Sequence, residues 1–531
     1  MKTIISIQIL PEEEKDHRKI TEKILIELKK NKIDCTKESI KYVVEKKSID
    51  ARRKQIKLNL KLRVYINEEI EDTTKLPEWK KATGKKSVIV VGSGPAGLFA
   101  SLKLLEYGIK PVIIERGSDT STRRKDIALI STKQTVNENS NYCFVEGGAG
   151  TFSDGKLYTR SNKRGDINMS LKILNYFGAD SKILTDSHPH IGTDKLPQII
   201  NNITKFIVSM GGEILFDTQC TDLYFEKELK GIETTNTKTY EKQIIKADAV
   251  LLATGHSAKD IYEMIAKKSP ESLEAKTFAV GVRTEHPREL IDSIQFHGQK
   301  ENLGSAEYRL TSQQNGRGVY SFCMCPGGFV VPSSTGPEEI VVNGMSCAKR
   351  NSLWSNAAIV VETRSEDIPK EFVEKAKANN CESLKGLYWR TYLENLSYQN
   401  GDQQKAPAQR LTDFLNAKDS DSLPRSSFAP GLVSSRLDLW LPKQISERLK
   451  SAYRYFDTLM KGYITDEATL IAIETRTSTP VRILRDKESG ECVGIKNLFP
   501  AGEGAGYAGG IISSAMDGEN QALKIAKKLN G

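Results

Sequence analysis

Between Ile56 and Ile66, the apolar residues Ile56, Leu58, Leu60, Leu62, Val64 and Ile66 alternate with mainly polar ones. That is the period of two expected of a strand with one buried face. Residues 3 to 9 and Ile40 to Val44 read as further strands, and Ile20, Ile24, Leu25 and Leu28 recur at helical spacing within residues 12 to 30. Together they predict a small α+β unit. Residues 67 to 86 are rich in charge, contain Pro77 and Gly84, and read as a linker. From Ser87 the pattern changes. The apolar run Ser87-Val-Ile-Val-Val91 leads into glycines and a helix-like segment, and a second run, Lys110-Pro-Val-Ile-Ile114, follows. A polar, loop-rich stretch extends to about residue 170. Leu196, Ile199, Ile200, Ile203 and Ile207 then predict one buried face of a helix over 196 to 210, stopped by Gly211-Gly212. A strand over Glu213 to Phe216, antiparallel strands over Thr221 to Ile245 and a strand over Ala247 to Ala253 are expected next. Residues 260 to 470 mix both element types. The glycine-rich Asn497 to Gly510 then precedes a helix carrying Ile511, Ala515, Ala522 and Ile525, so the chain is expected to return to the unit that began at Ser87.

The segment around Gly92, Gly94 and Gly97 has the spacing GxGxxG between a strand and a helix. The first glycine permits a tight turn, the second lets backbone approach a diphosphate, and the third lets helix pack on strand. A diphosphate there would meet the unpaired N–H groups and the dipole of the helix start. Glu115 ends the second strand about 20 residues on, where a ribose diol would be held. The reading is a dinucleotide-binding βα turn. Later, Ala253-Thr-Gly255 closes a strand on small residues that permit close approach of backbone to a ligand.

Length and charge narrow the class. A chain of 531 residues is expected to form two or three packed units. Its apolar runs are too short for a membrane helix, which needs roughly 20 residues. Ile4 to Leu10 is followed by Glu12-Glu-Glu14 rather than by a cleavage site, so no signal peptide and a cytoplasmic location are expected. The eight cysteines contain no CxxC, which argues against a disulfide framework, a zinc finger and a CxxC reductase. His188 and His190 have no ligand-spaced partners, so no metal is expected. The net charge is +10, and 23 basic against 15 acidic residues before Ser87 place eight of those charges at the N-terminus. Arg52-Arg-Lys54 and Lys85-Lys86 could meet nucleic acid, an acidic partner or a membrane surface, but solvated lysine-rich faces are commoner, and a nucleic-acid partner is not the favoured reading.

Four glycine-bearing pieces stand in order: GxGxxG with Glu115, Glu146-Gly-Gly-Ala-Gly-Thr-Phe-Ser-Asp-Gly155, Ala253-Thr-Gly255 and Ala501-Gly-Glu503. This order resembles FAD-binding flavoproteins of the glutathione-reductase-like fold, in the branch shared by hydroxybenzoate hydroxylase and geranylgeranyl reductase. A closer resemblance, over nearly the whole chain, is to an uncharacterised bacterial family of FAD-dependent dehydrogenases, also called NAD(FAD)-utilising dehydrogenases. It is carried by Gly147 to Leu157, Pro189-His-Ile-Gly-Thr-Asp194, Gly281-Val-Arg-Thr-Glu-His-Pro287, Phe322-Cys-Met-Cys-Pro-Gly-Gly328, Asn343-Gly-Met-Ser346 and Glu474-Thr-Arg-Thr-Ser478. The resemblance implies FAD as cofactor, with Glu503 accepting a ribityl hydroxyl and the backbone N–H groups around Gly509 to Ile511 facing the flavin pyrimidine oxygen. The expected cofactor-binding set is Gly92, Ser93, Gly94, Pro95, Ala96 and Gly97, then Glu115 and Arg116. It continues with Gly147, Gly148, Gly150, Thr151, Ser153, Gly155 and Lys156, then Cys220, then Ala253, Thr254 and Gly255, and ends with Gly502, Glu503, Gly509, Gly510 and Ile511.

Candidate chemistry lies between these loops. Alternation would aim Arg283 and Glu285 the same way, into a pocket or into a structural ion pair, while His286 before Pro287 reads as a locally bonded loop residue. Glu474, Arg476 and Arg482 could hold a substrate carboxylate or phosphate, or Glu474 could pair with one of the two arginines. Cys323 and Cys325 could react with flavin as thiolates, or simply pack on one face of an apolar strand. Lys156 could reach the flavin or lie on the surface. The expected fold class is α/β: a Rossmann-like FAD-binding domain over 84–260 and 471–531, an inserted α+β substrate domain over 261–470, and the N-terminal α+β domain over 1–83. The expected function is an FAD-dependent oxidoreductase acting on a small organic substrate. No second GxGxxG strand-turn-helix is present, so any NAD(P)H would visit as a transient donor. The alternatives are an FAD monooxygenase, and a flavin-containing RNA- or partner-binding protein using the basic N-terminal unit.

Overall fold

The alternation near the N-terminus is realised as a three-stranded antiparallel sheet, β1 (Lys2–Ile9), β2 (Ile40–Asp50) and β3 (Lys57–Ile66), in the order β1-β3-β2. Its apolar face, with Ile5, Ile7, Leu60 and Leu62, packs on Ile20, Ile24 and Leu28 of helix α1 (His17–Lys30). Asp16 starts that helix by accepting the N–H groups of Arg18 and Lys19. Strand β2 runs past Val44 to Asp50 because a bulge after Val44 lets it stay paired with β3 as far as Lys57. The computed structural model describes residues 1–71, 75–159, 165–299 and 303–531. Residues 72–74 of the expected linker and 160–164 of the expected loop-rich stretch lie outside the described residues.

The second sheet is built from β4 (Ser87–Val91), which leads into helix α2 (Pro95–Glu106), and β5 (Lys110–Ile114). Helices α3 (Thr120–Lys133), α4 (Ile167–Tyr176) and α5 (Leu196–Ser209) intervene before β6 (Glu213–Leu215). An antiparallel trio, β7 (Thr218–Phe225), β8 (Leu229–Asn236) and β9 (Lys242–Lys246), precedes β10 (Ala249–Leu252). The parallel sheet has the order Leu498–Pro500, β10, β4, β5, β6. Strand order therefore reverses at β4, and a crevice opens at the carboxyl ends of β4 and β10, where ligands of open α/β sheets bind. The C-terminal helix Ile511–Asn530 packs so closely on α2 that a Cβ on Gly518 would lie 2.1 Å from the carbonyl oxygen of Ala96.

Helix α3 and the first residues of α4 occupy the stretch expected to be loop. In α3 the inward positions are Arg123, Ile127 and Ile130, so a guanidinium stands where helical periodicity calls for an apolar residue. Arg123 is fully buried and stacks 4.3 Å above the Phe152 ring.

A further, eight-stranded sheet follows, in the order Thr311–Gln314, Arg317–Pro332, Trp354–Thr363, Phe278–Pro287, Thr469–Glu474, Ala406–Arg410, Leu432–Ser434, with Val342–Met345 paired to Arg317–Pro332. It is antiparallel except for its last pair. Helix Lys443–Leu459 covers it with Leu449, Ala452, Tyr453 and Phe456. The strand Arg317–Pro332 changes register against Trp354–Thr363 on either side of Cys325, and this distortion shapes the site described next. No helix among the described residues is long and apolar enough to cross a membrane.

Candidate cofactor cleft

The turn after β4 leaves no room for a Cβ at its first and third glycines. Gly92 has φ +101° and a Cβ there would lie 2.4 Å from the carbonyl oxygen of Ala253, while one on Gly97 would lie 2.0 Å from that of Gly92. Helix α2 starts at Pro95, so its first-turn N–H groups, which have no partner inside the helix, are presented at the crevice. Glu115 accepts bonds from the N–H (3.0 Å) and hydroxyl (2.7 Å) of Ser93 and from the Gly117 N–H (2.9 Å). A carboxylate offers about four acceptor directions, so one is left for a ligand hydroxyl.

The other loops close on this turn. The Gly147 N–H donates to the Ser93 carbonyl at 3.0 Å, and positive φ at Gly147 and Gly148 turns the chain into a 3-10 segment, Gly148–Phe152. Gly255 lies against Gly504, where a Cβ would be 2.4 Å from the Gly255 oxygen. Gly502 donates to Asp517 at 2.7 Å and so fixes the segment that carries Glu503. A Cβ on Gly509 or Gly510 would meet nothing within 4 Å. The loops thus enclose one cleft of about 1760 Å³ of atom-free space, counting its open mouth.

Of the residues expected to bind cofactor, Gly92, Gly94, Pro95, Ala96, Glu115, Arg116, Gly148, Gly150, Ser153, Gly155 and Lys156 line this cleft. So do Cys220, Ala253, Thr254, Gly255, Glu503, Gly509, Gly510 and Ile511. Ser93, Gly97, Gly147, Thr151 and Gly502 stand behind it as supports; the Thr151 hydroxyl, for example, donates to the Glu146 carbonyl at 2.9 Å. Arg116 grips Asp260 at 2.9 Å and lies 4.4 Å from the Phe144 ring centroid. Asp260, Gln219 and Phe144 also line the cleft, and nothing in their spacing announced them; so do Asn343 and Thr477, which lie in the strings Asn343–Ser346 and Glu474–Ser478 that carry the family resemblance. His256 does as well; its position directly after Ala-Thr-Gly was the available signal. Burial pushes Glu503 up to about 7, opposed by the Gly510 N–H, and pushes His256 down to about 3. Their 4.0 Å contact therefore joins a neutral imidazole to a carboxyl that titrates near neutrality.

The candidate catalytic residues divide. Arg283 is fully buried beneath the cleft, bonded to Glu474 (2.9 Å), Asn356 (2.7 Å) and the Cys323 carbonyl (3.2 Å). Glu474 thus pairs with Arg283 and not with Arg476 or Arg482, and loss of water pushes it up to about 7 against that guanidinium. Glu285 accepts from the Ser427 N–H (3.1 Å) and hydroxyl, outside the cleft. His286 lies within the strand Phe278–Pro287, not in a loop, and contacts the distant Tyr463 carbonyl at 2.8 Å. Arg476 reaches the cleft but is clamped by Glu394 (2.7 Å) and Glu339 (2.9 Å). Arg482 sits at the surface on Glu274 at 2.8 Å. Cys323 and Cys325 do not share a plain strand face: Cys323 has φ +44°, at a bulge, and lines the cleft, whereas Cys325 is fully buried. The Lys156 ammonium donates to the Met324 carbonyl between them.

A backbone cradle without Cβ atoms, two helix starts and a carboxylate with a free acceptor direction fit a dinucleotide. Residues 85–137 match the family described as FAD binding domain, and 277–477 match FAD-dependent protein, C-terminal domain-like. Residues 1–65 match a domain of unknown function, DUF8436. A protein of Clostridium beijerinckii, described as an uncharacterized protein, is 38% identical over 525 residues, covering 94% of this chain and 95% of the relative. Among solved structures, a geranylgeranyl bacteriochlorophyll reductase-like protein of Thermoplasma acidophilum is similar at 13% identity and TM-score 0.36, covering 84% of this chain and 80% of that one. A flavin-dependent brominase is similar at 12% identity and TM-score 0.36, covering 84% and 79%.

Proposed function

We propose, from the premise that this chain belongs to one family with the Clostridium beijerinckii protein and carries an FAD binding domain, that it is an oxidoreductase moving a hydride or two electrons between FAD and a small organic substrate. The observation that carries the reading is the meeting of glycine loops from residues 92–97, 147–155, 253–255 and 502–510 around one cleft. In this reading Glu115 holds a ribose hydroxyl, the start of α2 faces the diphosphate, and Glu503 accepts a ribityl hydroxyl. The open backbone from Gly509 to Ile511, at a helix start, stabilises negative charge at the pyrimidine edge. Bound FAD supplies the electron-pair chemistry, and the chain orients it and shields it from water with Phe322 and Ile511. His256, held neutral, serves as a hydrogen-bonding partner and not as a cation.

The test is the absorption spectrum of the purified protein, followed by anaerobic titration with NADH and NADPH. A yellow preparation bleached by a donor supports the reading; a colourless one that takes up no added FAD overturns it. Oxygen uptake matched to NAD(P)H consumption would select a monooxygenase.

Glu503→Ala is expected to cost about 1.5–3 kcal/mol of FAD binding, about 10- to 150-fold in Kd. Because the carboxyl titrates near 7 in the ligand-free cleft and accepts a bond as carboxylate, binding releases a proton, so affinity should rise between about pH 6 and 8. Glu503→Gln should flatten that dependence. Equilibrium titration with FAD at several pH values decides it, and an unchanged affinity in the alanine variant overturns the ribityl role.

A further inference from the structure

The bulge in the strand Arg317–Pro332 brings two thiols together beside the cofactor cleft. Opposite Ala358 and Asn356, which are two residues apart, the strand places Phe322 and Cys325, which are three apart, so one extra residue is accommodated. The left-handed backbone at Cys323 turns its side chain toward the cleft, and the Cys325 thiol beneath donates to the Cys323 carbonyl at 3.3 Å. Two cations hold the bulge: Lys156 through the Met324 carbonyl and Arg283 through the Cys323 carbonyl. We infer that Cys323 and Cys325 form a redox dithiol, a second two-electron centre that exchanges electrons with the flavin and with small external thiols.

The electrostatics agree with that division of labour. The adjoining Cys325 thiol, with Lys156 and Arg283, lowers Cys323, while Cys325 is raised, so Cys323 is the thiol that ionises first and serves as the nucleophile, and Cys325 keeps the proton. Asp154, Glu474 and Glu503 are acidic groups that oppose it. Cys220, in the same cleft, is pushed up to about 12 by burial and stays a thiol. The chemistry balances. Thiolate plus thiol lose two electrons and one proton and become a disulfide, while oxidised flavin gains them and becomes anionic reduced flavin. Two small thiols then restore the pair, one thiolate and one thiol, by thiol–disulfide exchange, leaving as their own disulfide with release of one proton.

The inference rests on the FAD reading, and the experiment separates the two. FAD-loaded protein, oxidised in air, is titrated anaerobically with dithionite. The intact chain is expected to take up about four electrons per FAD, and Cys323→Ser or Cys325→Ser about two. About two electrons in the intact chain, with FAD bound, overturns the dithiol and leaves the flavin. No FAD uptake overturns both. In ligand-free protein, iodoacetamide at pH 6 should label Cys323 at least about 10-fold faster than Cys220, with FAD protecting it. Oxidised glutathione should yield a peptide carrying the Cys323–Cys325 disulfide. Equal labelling rates or no such peptide overturns the inference. Dithiothreitol is the probe thiol: it should bleach the flavin of the intact chain and leave that of Cys323→Ser oxidised over the same period, and equal bleaching counts against the relay.

Discussion

Gly97→Ala is expected to yield a chain that is purified without flavin and unfolds at a clearly lower temperature. The added carbon would sit 2.0 Å from the Gly92 carbonyl oxygen and 3.2 Å from a Val90 methyl. The first of these contacts is with backbone, so no side-chain rotation relieves it. Either α2 moves away from β4 or the turn opens, and both displace the N–H groups that the proposed function assigns to the diphosphate. Overpacking of this kind typically costs about 1–3 kcal/mol and more where backbone is the obstacle. Gly509→Ala is the matched control, because its Cβ would meet nothing within 4 Å and its φ is not left-handed. Stripped of flavin, it should melt with the wild type. Thermal unfolding and flavin content of the three proteins decide the matter. A Gly97→Ala protein as stable and as yellow as wild type would mean that helix and strand do not approach as described.

Removing Glu394 should cost nearly as much by a different route. Its carboxylate is buried, bonded twice to Arg476 (2.9 and 2.7 Å) and once to Thr475 (2.6 Å), with Arg390 at 3.6 Å. Glu394→Ala leaves two guanidinium groups in the interior with Glu339 as the remaining counter-charge at Arg476. Breaking one partner of a buried pair costs about 3–5 kcal/mol. Although burial alone would raise Glu394, the Arg476 guanidinium holds it down at about 2, against 4.5 for the ordinary group. The folded form is therefore the one that binds the proton less readily. The stabilisation is complete above about pH 4.5 and is lost as pH falls toward 2. Urea unfolding near neutrality should show the full deficit in Glu394→Ala, and the gap between the two proteins should narrow on acidification. A deficit below about 1 kcal/mol at pH 7 would rule out a clamp that matters.

Much of the cleft was legible as spacing. Gly92, Gly94, Gly97 and Glu115 belong to one strand-turn-helix-strand unit, and their roles follow from local geometry: a tight turn, a close approach, a carboxylate at a strand end. The N-terminal sheet was legible for the same reason, since alternation in β3 has only one way to bury its apolar face. Helix α3 was hidden because Arg123 occupies its inward stripe, and its aromatic partner Phe152 ends a 3-10 segment of unrelated pattern. Spacing also suggested that Glu474 would pair with Arg476 or Arg482, its neighbours in the chain. The sheet instead sets Glu474 against Arg283, 191 positions away.

By itself, then, the sequence determined the elements and the glycine positions, because helix and strand periodicity and the steric demands of a turn act over a few residues. Only the tertiary structure decided which charges neutralise each other, which of two cysteines faces the cleft, and that Glu285 and Arg482 stand outside it. Those outcomes depend on strand register and burial, and both are set by contacts between residues far apart in the chain, from tens to nearly two hundred positions.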